Sequence, residues 1–129
     1  MERAHVLVCV TGQRSCERLI IVGAQYAARL EADLMVLHVA RNGANVLGLG
    51  EAEALEFLFA KASEHGGDMK VVRADNVLDA LEKQARQLNA VQIVTGRAAD
   101  YSGWDLLDEL QQRLPEIPFR IMTTNERPD

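Results

Sequence analysis

Several things are scarce in this sequence, and each scarcity excludes a class of protein. Only two of its 129 residues are cysteine, and Cys9 and Cys16 do not form a Cys-x-x-Cys pair, so no disulfide scaffold is expected. No apolar run approaches the roughly 20 residues that span a bilayer, so we predict no membrane insertion. Basic residues are not clustered and the net charge is −5. We therefore expect neither nucleic acid nor an anionic membrane surface as a partner.

The length and composition are those of a single globular domain. An apolar fraction of 48% and a charged fraction of 26% are ordinary for a folded protein, and a chain of this length can bury a core without metals or disulfides. The sequence contains no linker, internal repeat or low-complexity segment, so residues 1–129 are predicted to form one domain. The first residues run directly into a predicted strand, and we therefore expect no signal peptide and a cytoplasmic location.

Apolar runs of strand length alternate with amphipathic helical segments along the chain. The clearest runs are continuous rather than alternating in polarity, which favours strands covered on both faces. Strands connected through helices imply a parallel sheet with right-handed crossovers and helices on both faces. The sequence therefore predicts an α/β fold, with strands at residues 6–10, 34–39, 69–74, 91–95 and 119–123.

Small and polar residues mark the ends of the predicted helices. Ser15 is predicted to cap the first helix, whose glycine and alanine residues would allow a close approach to the sheet. The second helix, over residues 51–65, is predicted to end at Gly66, and Asp75 or Asn76 is predicted to cap the third. The predicted inner face of the second helix comprises Ala52, Leu55, Leu58, Phe59 and Ala62.

Three stretches resemble universal stress protein (UspA-like) domains. They are HVLVCVTGQRSCERL at residues 5–19, DNVLDAL at 75–81 and AVQIVTGR at 90–97, and they are most similar to the version found in KdpD-type sensor histidine kinases. The resemblance extends over nearly the whole chain and implies a single-domain, Rossmann-like (adenine nucleotide alpha hydrolase-like) fold. That fold has five parallel strands in the order 3-2-1-4-5, with a ligand crevice where the loops after the first and fourth strands diverge.

The phosphate-binding motif of that family is incomplete here. Nucleotide-binding members carry Gly-x-x-Gly, then nine residues, then Gly-Ser or Gly-Thr, because backbone N–H groups and a hydroxyl hold the phosphates. Gly96 matches the first glycine, but Ala99 stands at the second position, and Glu109 and Leu110 form the final pair. The acidic residue that those members place after the first strand is Thr11 here. These departures predict that ATP binding in the usual family manner is lost.

The candidate ligand site lies in the loops after the first, second and fourth predicted strands. Arg14 and Arg97 would face each other across the crevice, where two guanidiniums could clamp a phosphate or carboxylate. The alternative is that both arginines are surface residues paired with Glu17, Asp100 or Asp105. The predicted binding residues are Thr11, Gly12, Gln13, Arg14, Ser15, His38, Gly96 and Arg97.

Other features of the site have simpler explanations. Gly12 and Gly96 are ligand contacts or, alternatively, turn residues that need positive φ. Cys9 is predicted to be a small buried residue, whereas Cys16 lies near a helix N-terminus, where a thiolate would be stabilised. We identify no catalytic arrangement of side chains and no metal-ligand spacing, so we predict a domain that is not an enzyme. No cofactor is assigned with certainty, and the candidate ligands are ATP, AMP and a cyclic dinucleotide.

Two features point to protein partners. The last predicted strand is an expected edge of the sheet, and exposed edges invite pairing; family members often dimerise through this strand, so we predict a homodimer there. Leu47 and Leu49, in a glycine-rich loop, could cover the crevice or face a partner. Three functions therefore stay open: a regulatory domain that binds a small anionic ligand, an ATP-binding universal stress protein, and a ligand-free interaction module for a sensor kinase or transporter.

Overall fold

The computed structural model describes residues 3–41, 49–96, 106–123 and 126–128. These residues form five strands and four α-helices, which alternate along the chain. A short 3-10 turn at Arg14–Cys16 precedes the first α-helix. The elements are β1 (His5–Cys9), α1 (Glu17–Leu30), β2 (Asp33–Arg41), α2 (Leu49–Glu64), β3 (Asp68–Ala74), α3 (Val77–Gln87), β4 (Ala90–Gly96), α4 (Leu106–Arg113) and β5 (Phe119–Met122).

The strands form one parallel sheet in the order β3-β2-β1-β4-β5. Strand β1 lies at its centre, where Val8 pairs with Val36 on one side and with Val94 on the other. All three valines are fully buried, as expected for strands covered on both faces. The predicted fold class, the five strands and their order are confirmed. In the part of the chain that the structure describes, we find no helix long and apolar enough to cross a membrane.

Two apolar layers cover the two faces of the sheet. Helices α1 and α2 pack on one face, around Ile20 and Leu58, and α3 and α4 pack on the other, around Leu78 and Leu110. The predicted close approach of α1 to the sheet is confirmed at Gly23, where an added Cβ would lie 2.3 Å from Cγ2 of Val8. Only glycine fits there, because core packing leaves no room for another methyl group.

Two of the predicted helix ends are confirmed. Asn76 caps α3, and its side chain accepts a hydrogen bond from the Asp79 backbone N–H at 3.0 Å. Gly66 follows α2 with φ of +79°, the left-handed conformation that glycine adopts at little cost. The prediction for Ser15 is wrong, because the chain makes a 3-10 turn before α1 and the residue preceding the helix is Cys16. The Ser15 hydroxyl points instead to the Gln13 side chain, at 3.5 Å.

The predicted inner face of α2 needs one correction. Leu55, Leu58 and Ala62 are buried as predicted, but Phe59 is 56% exposed. Helix α2 packs over the margin of the sheet, so a residue on its outer side finds no further strand to cover it. Phe59 instead lines a groove of about 380 Å³ between α2 and β3, which we call the edge groove. The residues that line it are Ala52, Leu55, Glu56, Phe59, Met69 and Val71.

Candidate functional site

The crevice lies at the carboxyl ends of β1, β2 and β4. In a parallel sheet the first turn of each following helix returns to this same edge, and order reversal at β1 leaves space between the loops. Strand β1 stays bonded to its neighbour up to Val10, whose N–H donates to the Leu37 carbonyl at 2.9 Å. The loop that begins at Thr11 is therefore anchored where it leaves the sheet.

His38 and Glu51 form the polar centre of the crevice. His38 lies on β2 and is buried, and its Nδ1 donates to the Val10 carbonyl oxygen at 3.0 Å. That bond fixes the ring, because a carbonyl oxygen can only accept. The other ring nitrogen, Nε2, faces Oε1 of Glu51 across 3.9 Å, which is longer than a hydrogen bond. The Glu51 side chain is 40% exposed, so its carboxylate remains accessible to a ligand.

Gly12 is the residue over which Glu51 packs. A Cβ added at Gly12 would lie 2.4 Å from Cγ and 3.0 Å from Oε1 of Glu51, so any side chain there would displace the carboxylate. The φ angle of Gly12 does not lie in the left-handed region, and the predicted turn with positive φ is therefore wrong at this position. The absence of a side chain at Gly12 therefore lets the Glu51 side chain pack over the loop.

The remaining residues of this loop make contacts of their own. The Arg14 guanidinium lies over the ring of Phe57, 4.6 Å from its centroid, which is a favourable cation–π contact. Of the carboxylates considered as partners from the sequence, Glu17 lies 3.7 Å from Lys61 instead, and Asp100 and Asp105 lie outside the described residues. Thr11 and Gln13 are exposed, and the Thr11 hydroxyl lies 3.5 Å from the Cys16 sulfur. The loop therefore offers the crevice polar groups but no guanidinium free of other contacts.

On the β4 side of the crevice, Arg18 lies between Gly96 and the segment that follows β5. An added Cβ at Gly96 would lie 3.6 Å from Nη2 of Arg18, and Nη1 of Arg18 donates to the Thr123 carbonyl at 2.8 Å. Gly96 has neither a positive φ nor a tight contact, so the alternative that explained it by turn geometry is wrong. Arg97 lies outside the described residues, and the predicted clamp of two arginines stays a prediction.

The two cysteines occupy different environments. Cys9, at the end of β1, is only partly buried as a residue, yet desolvation raises the pKa of its thiol to about 12. The exposed part of Cys9 is therefore not its sulfur, which is shielded from water. The thiol stays protonated at neutral pH, in keeping with the predicted role of Cys9 as a small apolar residue. Cys16 is buried beside Thr11.

Comparison with known sequences finds a similar segment in a sensor protein. The chain is 34% identical over 111 residues to the sensor protein KdpD of Mycobacterium tuberculosis, a match that covers 83% of this chain but only 12% of that protein. No protein-family model matches this chain.

Solved structures share the fold. A universal stress protein crystallised in complex with cAMP superposes with a TM-score of 0.69 at 19% identity, covering 97% of this chain and 100% of that one. A class III photolyase from Agrobacterium tumefaciens superposes with a TM-score of 0.71 at 17% identity, covering 95% of this chain but 26% of the photolyase. The match to KdpD and the shared fold identify a UspA-like domain. Such a fold serves several functions, so the function of this domain must be argued from its own site.

The structure explains two departures from the family's phosphate motif. Leu110 is buried in the core between the sheet, α3 and α4, and Glu109 lies 3.5 Å from Arg113 one turn along α4. Glu109 is a carboxylate in the first turn of α4 and Leu110 is apolar, so neither side chain donates a hydrogen bond to a phosphate. Ala99, Asp100, Trp104, Asp105 and Leu47 lie outside the described residues, as does the side chain of Leu49.

Sequence reasoning missed three residues of this site: Arg18, Glu51 and Phe57. Arg18 and Glu51 lie in the first turns of α1 and α2, and a helix that follows a parallel strand begins at the carboxyl edge of the sheet. The position of Arg18 and Glu51 at the start of a helix could therefore have marked both residues as candidates for the site. No pattern in the sequence marks Phe57, because it lies far from Arg14 along the chain.

Metal binding has little support from the described geometry. In the ranges that the structure covers, no three His, Cys, Asp or Glu side chains come close enough together to hold an ion. The predicted histidines lie apart, with His5 bonded to the Leu88 carbonyl at 2.7 Å and His38 bonded to Val10. In each of these two histidines, Nδ1 is bonded to a backbone carbonyl oxygen.

Proposed function

We propose that this UspA-like domain is a non-enzymatic regulatory module that binds a nucleoside or nucleoside monophosphate in the crevice by its ribose. The observation that carries the proposal is the pair of acceptors formed by Glu51 and His38. Nδ1 of His38 donates to Val10, so Nε2 is the ring nitrogen left to face a ligand, and it accepts a hydrogen bond when the ring is neutral. It lies 3.9 Å from a Glu51 oxygen. A vicinal diol could donate one hydrogen bond to each group.

The charge of Glu51 supports this ligand class over a polyphosphate. A carboxylate at the carboxyl edge of a sheet is the group that holds ribose hydroxyls in other dinucleotide-binding α/β proteins. The same negative charge repels phosphates, and Leu110 and Glu109 add no donors for them. A universal stress protein of the same fold has been crystallised with cAMP. These observations favour adenosine or AMP over ATP as the ligand here.

Titration calorimetry with AMP, 2′-deoxy-AMP, cAMP and ATP tests the proposal. We expect AMP to bind, 2′-deoxy-AMP and cAMP to bind more weakly because each lacks one free hydroxyl, and ATP to bind no more tightly than AMP. Glu51→Gln should weaken AMP binding about tenfold, the typical loss for a charge-assisted hydrogen bond. The matched control is Glu53→Gln, which changes an exposed carboxylate of α2 that we do not place in the crevice.

Three results would overturn the proposal. They are the absence of binding by any of the four nucleotides, AMP binding that is unchanged in Glu51→Gln, and ATP binding at least about tenfold tighter than AMP. The last result would favour an ATP-binding universal stress protein.

The second candidate function is a ligand-free interaction module. It is favoured by the edge groove, where Phe59 and Val71 are 56% and 52% exposed. In such a module the domain would report to the rest of a sensor kinase or to a transporter. The similarity to a short part of KdpD makes a partner of this kind a reasonable proposal.

A further inference from the structure

Strand β3 has one side without a partner strand among the described residues. It pairs with β2 and ends the sheet at that side. Its seven residues lie in register with β2 from Met35 to Arg41, so the strand is straight and long enough to template another. Native proteins usually protect such an edge. Here Val71 stands on it with 52% of its surface exposed.

The face of β3 that adjoins α2 is the open one. Met69 packs with the core cluster of α1 and α2, whereas Lys70 donates to Gln84 of α3 at 2.9 Å on the opposite face. By strand alternation, Val71 and Arg73 lie on the same face as Met69. That face continues into the edge groove, whose lining is apolar except for Glu56.

We propose that the β3 edge is a self-association surface, on which a second copy of this chain pairs its own β3 antiparallel about a two-fold axis beside Val71. A two-fold axis perpendicular to the sheet leaves each side chain on the same face of the combined sheet. Residues opposite each other must therefore both be odd-numbered or both be even-numbered positions of β3. Pairing centred on Val71 sets Val71 against Val71 of the partner subunit and Met69 against Arg73 of the partner subunit. The proposal does not depend on ligand binding in the crevice.

Charge complementarity favours a second copy of this chain as the occupant, paired in this register. Residues directly opposite in an antiparallel pair have Cβ atoms about 4.5–5.5 Å apart. Arg73 of the partner subunit would therefore lie beside Met69, in the same groove as Glu56. The two-fold axis generates the contact between Glu56 and Arg73 of the partner subunit twice, once in each groove. Shifting the register to centre on Lys70 would instead oppose two like charges.

The β5 edge, predicted from the sequence as the dimer strand, offers less. Its four residues are buried or half-buried, and none of them is among the exposed large apolar residues of the described chain. Arg120 of β5 pairs with Glu126 of the following segment, so its charge is already used within the subunit. The β5 homodimer stays a prediction, and the β3 edge is the stronger candidate.

Sedimentation velocity over a concentration series tests the surface. We expect a concentration-dependent dimer that Val71→Lys weakens at least about tenfold, because a lysine there meets its own copy across the axis. Leu30→Lys is the matched control, since Leu30 is 45% exposed on α1 and should leave the dimer intact. Ile121→Lys tests whether the dimer forms through β5, and we expect this variant to remain dimeric. Thermal unfolding of each variant confirms that it is folded.

A charge exchange tests the register itself. Glu56→Arg and Arg73→Glu should each weaken the dimer about two- to fivefold, and the double variant should recover the wild-type value. Glu53→Arg is the control for the change in net charge. A monomer at every concentration, a dimer lost in Ile121→Lys but retained in Val71→Lys, or a double variant weaker than both singles would overturn the proposal. Association that occurs only with another protein would do so too.

Discussion

The crevice and the edge groove share helix α2 but present opposite chemistry. At its first turn, α2 sends Glu51 over Gly12 toward His38, and the described part of the crevice there is polar. On its outer side, the same helix leaves Phe59 exposed above β3, and the groove is apolar and open. A polar crevice suits a small hydroxylated ligand, and an open apolar groove suits a protein surface.

The difference follows from position in the sheet. The crevice lies at the carboxyl ends of the central strands, where Gly12, His38 and Glu51 come together. The groove lies at the margin of the sheet, where no other element among the described residues covers Phe59 and Val71.

The largest effect is expected from two neighbouring residues of α2. Leu58 is fully buried and Phe59 is 56% exposed, so Leu58→Ala should cost about 3 kcal/mol in the free energy of unfolding. Phe59→Ala should cost less than about 1 kcal/mol but weaken self-association about fivefold. Urea denaturation and sedimentation measure the two quantities. Equal losses of stability in both variants would show that Phe59 is a core residue and that the groove is closed.

A smaller effect is expected in the crevice at Gly12. Because the group in its way is the side chain of Glu51, Gly12→Ala should cost no more than about 1 kcal/mol of stability while lowering AMP affinity as much as Glu51→Gln does. Gly50→Ala is the matched control, since an added Cβ there meets nothing within 4 Å. Denaturation and calorimetry on both variants test this. Unchanged AMP affinity in Gly12→Ala would separate Glu51 from the ligand.

A third effect, confined to high pH, concerns the thiol of Cys9 at the end of β1. Burial raises the pKa of Cys9 from 9.0 to about 12, so the folded state favours the protonated thiol. This stabilisation is complete below the unfolded pKa and is lost as pH rises from about 9 toward 12. The free energy of unfolding should therefore fall over that window more steeply in the wild type than in Cys9→Ala. The same slope in the wild type and in Cys9→Ala would contradict the assignment.

The fold was predictable because its signals are local. Continuous apolar runs such as residues 91–95 mark strands buried on both faces, and Asn76 and Gly66 mark helix ends through side-chain and backbone chemistry within a few residues. Ser15 misled because a 3-10 turn shifts the start of α1, and a cap signal does not specify which turn follows it. Phe59 misled because α2 carries apolar residues on two sides, and periodicity alone cannot show which side meets the sheet.

The site was less predictable because its contacts join distant parts of the chain. Glu51 reaches Gly12 and His38, and Arg14 reaches Phe57, only after the sheet is assembled. The predicted strand order is confirmed, and it brings the ends of β1, β2 and β4 to one edge of the sheet. The sequence could not show that a carboxylate from α2 packs over Gly12.

Hydrogen exchange on one protein under two conditions tests the division between crevice and groove most directly. Adding AMP to dilute protein should slow exchange in the peptides that contain Gly12 and Glu51 and leave β3 unchanged. Raising the protein concentration without AMP should slow exchange in β3 and leave the Gly12 peptide unchanged. Protection of β5 instead of β3 at high concentration, or AMP protection that spares both Gly12 and Glu51, would contradict the account.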